Sequence, residues 1–101
     1  MGFLELLGED QRLVVLRVLT EVGGNATNDV VLKQALSHFG HNVSRDMVRA
    51  HLAWLAEHSL VEVERLAAGS GELWLATLTV AGLDVASGAR VHPGVARRGP
   101  E

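Results

Sequence analysis

The chain has 101 residues, 48% of them hydrophobic and 21% charged, a balance that suits one globular domain and is too apolar for a disordered segment. It contains no cysteine, which excludes disulfide frameworks, thiolate metal sites, thiol nucleophiles and iron–sulfur clusters. The net charge of −3 is uneven: residues 1–88 hold six Lys or Arg against eleven Asp or Glu, a balance of −5, while 89–101 carry Arg90, Arg97 and Arg98 against Glu101, a balance of +2. A broad basic face, the usual signature of nucleic-acid binding, is therefore missing outside local clusters. The longest apolar run, Leu13 to Leu16, falls far short of the ~20 residues of a membrane span, and no leader pattern is present.

Residues 2–7 form a short apolar patch in which Phe3, Leu4, Leu6 and Leu7 predict docking on a neighbour. Gly8 reads as an N-cap, with Glu9 and Asp10 in the first turn where the helix dipole favours acids. A helix over about 9–22 follows, with Leu13, Leu16, Leu19 and Val22 as its stripe and Val15 widening it. Gly23 and Gly24 end it, and 25–27 are short enough for a one-rung strand or a tight loop.

A second helix, about 28–39, is capped by Asn28 or Thr27, carries Asp29 in its first turn and turns Val31, Leu32, Ala35, Leu36 and Phe39 to one face. Gly40 stops it as a left-handed residue. Only His41, Asn42 and Val43 then precede the next cap, Ser44, and two helices joined by so short a turn make a helix-turn-helix.

The third helix, about 44–58, buries a ridge of Val48, Leu52 and Leu55. One flank is small and cationic, with Arg45, Arg49, Ala50 and Ala53 beside Asp46. The other is bulky, with Met47, His51, Trp54 and His58. Trp54 is either a core residue beneath the following hairpin or an exposed anchor.

Period-two alternation from Val61 and a returning strand to Leu78 predict a hairpin over 61–78, turning at 67–71. Its register is open: either Leu73 and Leu75, or Trp74 and Ala76, share the face of Val61 and Val63. Thr79 caps a last helix, about 79–87, with Val80, Leu83 and Ala86 on one side and Gly88 beyond. The basic, Pro- and Gly-containing segment 89–101 reads as a tail or arm.

The order helix, helix, turn, helix, hairpin, helix defines a mainly α fold with a small β-hairpin (α+β), a winged helix-turn-helix over residues 1–88. VSRDMVRAHLAWLAEHSLVEVE from Val43 and LTVAGLDVA from Leu78 resemble the recognition helix, wing and wing-closing Leu-Thr-x-x-Gly motif of ArsR- and MarR-like regulators. The GEDQRLVVLRVL opening and PGVARR ending are similar to small winged-helix proteins of Mu-like phages and prophages. The resemblance implies a phage-encoded transcriptional regulator that binds double-stranded DNA in the cytoplasm of the bacterial or infected cell. The alternative is a winged helix that contacts another phage protein during assembly or packaging and does not read DNA.

On that reading the third helix enters the major groove, with Arg45 and Arg49 reaching phosphate or guanine, Ser44 and Asn42 meeting the backbone, and Ala50 allowing close approach. Asp46 contacts cytosine or pairs with an arginine. Arg65 and Ser70 serve the wing, and Arg97 and Arg98 form either a phosphate-binding arm or a solubilising end. The same flank is otherwise an ordinary solvated helix face. Phe3, Leu4, Leu7 and Trp54 are the expected surface of a homodimer or a partner contact. Neither a cofactor nor a metal is expected: His38, His41, His51, His58 and Asp84 do not form a sensor-type ligand set. No enzymatic motif is present, so no catalytic residue is expected.

Overall fold

A computed structural model describes residues 2–97. The helices are α1 (Phe3–Glu21), α2 (Asp29–His38), α3 (Arg45–Glu57) and α4 (Val80–Ser87). The strands are β1 (Ala26–Asn28), β2 (Val61–Ala68) and β3 (Gly71–Leu78), in the order β1-β3-β2. This is the winged-helix arrangement expected from the sequence; of the two alternatives for 25–27, a short strand or a tight loop, the structure has the strand, which joins the hairpin through β3.

The caps are local chemistry. The side chains of Asn28, Ser44 and Thr79 accept hydrogen bonds from the amides of Val31, Met47 and Gly82. Each satisfies one amide that the first helical turn leaves without a partner. Gly40 and Gly88 take the left-handed conformation beyond the ends of α2 and α4.

The start of the chain differs from expectation. Instead of a separate segment 2–7 and a helix capped at Gly8, α1 runs unbroken from Phe3. Leu4, Glu5, Leu6 and Leu7 are good helix formers, and one interior glycine costs only about 1 kcal/mol. The Arg12 guanidinium packs over the space beside Gly8.

The core gathers Leu13, Val15, Leu16 and Leu19 of α1, Leu32 and Leu36 of α2, and Val48, Leu52 and Leu55 of α3, closed below by Leu60, Val61, Trp74 and Ala76. The hairpin register pairs Val61 with Leu78, Val63 with Ala76 and Arg65 with Trp74. Trp74 and Ala76 thus share the core face of Val61 and Val63. The register also allows a two-residue turn, Gly69-Ser70, between paired Ala68 and Gly71.

The Leu-Thr-x-x-Gly motif has a packing cause. Thr79 donates its hydroxyl to the carbonyls of Ser59 and Leu60 and caps α4 through Gly82. A methyl group at Gly82 would overlap the Leu60 carbonyl oxygen, so the glycine lets α4 lie against the root of the wing. The buried side of α4 is Gly82, Val85 and Ala86, while Val80 and Leu83 are exposed.

Part of the expected tail belongs to the domain. Residues 91–97 run as a strap across α1 and α3: Val95 is only 3% exposed, the Ala96 amide donates to the Glu9 carbonyl at 3.0 Å, and Arg12 Nε donates to the Gly94 carbonyl at 2.7 Å. A methyl at Gly94 would overlap the Trp54 indole. Arg98 and the end of the tail lie outside the described residues.

Candidate nucleic-acid interface

α3 starts where Ser44 caps it, and this places Arg45 and Arg49 one turn apart on the flank facing the wing. Opposite them stands Asp29, the first residue of α2. The sequence places it only in the first turn of that helix; in the structure Asp29 is fully buried. Its Oδ2 accepts from Arg45 Nε at 2.9 Å and from Arg49 Nε at 2.7 Å, while Oδ1 accepts from the Trp74 amide at 3.2 Å. Both guanidiniums also donate to the Glu72 carbonyl at the root of the wing, each at 2.6 Å.

Burial alone raises the pKa of Asp29. Hydrogen bonds from the two arginines and from the Trp74 amide outweigh it and hold the carboxyl below its ordinary value. The buried charge is therefore kept ionised by its partners.

Trp74 completes the cluster. Its indole Nε1 donates to the Glu72 carboxylate at 3.0 Å, and the guanidinium carbons of Arg65 and Arg49 lie 4.3 Å and 5.3 Å from its ring. Three arginines from α3 and β2 thus gather about buried Asp29 and the Trp74 ring, with the Glu72 carboxylate held on the indole N–H, leaving a positive excess in a cleft between helix and wing. The Arg45 and Arg49 side chains keep 41% and 22% of their surface in solvent. The cleft can offer guanidinium N–H groups to an anion without further rearrangement.

Other expected contact residues are arranged around this cleft with less order. Asp46, Ala50 and Ser44 are exposed on α3, and Asn42 accepts from the Ser37 hydroxyl at 3.1 Å. Ser70 is exposed in the wing turn, whose tip carries no cation. Arg97 lies elsewhere, with Arg90 and His92 beside the end of α4. Asp29, Glu72 and Trp74 were absent from the expected site. The only local signal was an acid directly after a cap, and its partners are fixed by tertiary packing.

The bulky flank of α3 is occupied within the chain. The Trp54 ring stacks on His58 at 3.9 Å, meets His92 of the strap edge-on at 5.3 Å and has the Arg12 guanidinium 4.4 Å from its centre. It is neither beneath the wing nor a bare anchor. His51 is buried, bonded to Gln11 at 2.8 Å and facing Arg12 Nη1 at 3.4 Å. Burial, then the charges of Arg12 and His41, lower its pKa to about 4. Phe3 and Leu4 are 72% and 81% exposed, while Leu7 is half-buried beside Val43 and Met47 in a groove between α1 and α3. Among the described residues no group of three His, Asp or Glu side chains could hold a metal, and no helix is long and apolar enough to cross a membrane.

These elements define a winged-helix protein with a pre-formed arginine cleft between helix and wing. No family model matches the chain. It is 45% identical over 96 residues to the uncharacterized protein gp26 of Escherichia phage Mu, covering 95% of each chain. It is 52% identical over 69 residues to an uncharacterized protein of Haemophilus influenzae, covering 68% of this chain and 67% of the relative. The chain belongs to the family of phage Mu gp26.

Proposed function

We propose that the chain is a DNA-binding winged-helix protein of Mu-like phages and prophages, a transcriptional regulator acting in the bacterial cytoplasm by binding rather than catalysis. One observation carries this reading: Arg45, Arg49 and Arg65 converge between α3 and β2, and Asp29 neutralises only one of the two guanidiniums that it holds. In a winged helix, the N-terminal part of the third helix and the wing flank the DNA backbone, and arginines there neutralise phosphate. The cleft is the place where an otherwise acidic domain presents oriented cations.

The test is duplex binding measured against salt, on random DNA and on fragments of the phage genome. Affinity should be strongest at low salt and fall linearly on logarithmic axes. Arg45→Ala and Arg49→Ala are poor probes, because either change strips a partner from buried Asp29. Arg65→Ala removes a cation that makes no side-chain hydrogen bond among the described residues, and it should weaken binding and reduce the salt slope by about 1. An unchanged slope removes Arg65 and its cleft from the interface. Absence of duplex affinity at low salt ends the DNA reading.

The second reading, a protein-docking winged helix in phage assembly or packaging, is favoured by the acidic excess of residues 1–88 and by Asp46, Glu57, Glu62 and Glu64, all exposed on α3 and the wing. These acids repel a phosphate backbone beyond the cleft. A chain that remains unbound by DNA and associates with a phage structural protein would follow this second reading.

A further inference from the structure

We propose that two copies of this chain pair through the solvent faces of their α1 helices, antiparallel, each inserting its N-terminal apolar turns beside Val14, Val18 and Phe39 of the other. This does not depend on the DNA reading.

Along the outer side of α1, exposed Phe3, Asp10, Arg17 and Glu21 alternate with half-buried Leu7 and Val14, recurring at alternating steps of four and three residues. That spacing keeps one seam of a helix facing one partner helix. Along the seam the N-terminal half is apolar, with Phe3 72% and Leu6 51% exposed. The C-terminal half is concave: Val14, Arg17, Val18 and Glu21 line a pocket with Phe39 of α2, whose ring is itself 59% exposed. One end of the helix thus supplies a projection, and the other a recess that nothing in the described chain fills.

Projection and recess on the same helix are the requirement for a two-fold contact, in which each copy uses the same patch. An axis crossing α1 near Leu13 brings Leu6 and Leu7 level with the partner's recess. It also brings Asp10 within a turn of the partner's Arg17, twice. A parallel pairing would set Asp10 against the partner's Asp10 and leave both recesses empty. Charge and shape therefore select the antiparallel arrangement and a second copy as the occupant. Asp10 also accepts His41 Nε2 at 2.6 Å but remains 52% exposed, so its carboxylate is open to a second cation. The N-terminus of α1 points the same way: Gly2 provides no side-chain cap, and the first turns bury little within their own chain. A helix end of this kind gains its stability from tertiary contact.

Sedimentation equilibrium of the intact chain tests this. The native protein should show a concentration-dependent dimer. Phe3→Ser with Leu6→Ser should give a monomer with unchanged circular dichroism. Arg17→Asp should weaken the dimer by on the order of tenfold or more, and the exchange Asp10→Arg with Arg17→Asp should restore it, since only a direct cross-pair produces such coupling. A native chain that is monomeric at all concentrations overturns the proposal. So does a dimer insensitive to the apolar pair, or a charge exchange that fails to rescue Arg17→Asp.

Discussion

At the scale of single residues, Asp29 joins parts that the chain keeps far apart. It draws bonds from α3 and from the Trp74 amide of β3, and it cannot be reached by water. Removing one member of a buried, hydrogen-bonded charge cluster costs about 3 to 5 kcal/mol, far more than an exposed pair is worth. Asp29→Ala is therefore expected to lower the urea midpoint strongly, and a loss below about 1 kcal/mol would mean that the cluster does not hold the fold. Legibility at this scale followed distance along the chain. Asn28, Ser44 and Thr79 could be recognised as caps because each acts on an amide three residues ahead. Asp29 stands next to one of these caps and shows in the sequence only as a first-turn residue, because its partners lie 16, 20 and 45 residues away.

At the scale of elements, the strap over α1 and α3 is the part of the chain that composition most disguised. Pro93, Gly94 and the arginines suggest a loose tail, yet Val95 is buried and Gly94 leaves room for the Trp54 indole. Gly94→Ala should destabilise the protein by about 1 to 3 kcal/mol in thermal unfolding, the usual cost of overpacking. It should also make the strap more sensitive to limited proteolysis. If both the melting temperature and the cleavage rate stay at their native values, the strap is not seated against Trp54. The wing register escaped sequence reading for a related reason: alternation offers two equivalent faces, and the choice is made by where Trp74 and Ala76 meet the core. β1 was legible only as one of two alternatives, a one-rung strand or a tight loop at 25–27, because the partner that decides between them, Leu75–Thr77, lies far along the chain.

At the scale of the whole molecule, acid sensitivity should report the buried seam between α1 and α3. His51 is neutral in the folded chain: Nε2–H donates to Gln11, and Nδ1 accepts from Arg12. Its folded pKa of about 4 lies below the ordinary 6.5, so unfolding takes up a proton between those values. The His51 contribution is therefore fully present above about pH 6.5 and lost as the pH falls toward 4. Unfolding midpoints measured across that window should decline with falling pH, and His51→Gln should flatten the decline. A slope unchanged by the substitution would assign the effect to another group.

The contact between Asp29 and the Trp74 backbone has a kinetic consequence. The Trp74 amide donates to a carboxylate held by two arginines of the third helix, so its hydrogen can exchange with solvent only when wing and helix part. Its exchange rate measures how often the cleft opens, and a bound anion that draws on the same arginines will change that rate. One backbone proton thus gives the molecule a built-in clock for the separation of helix and wing.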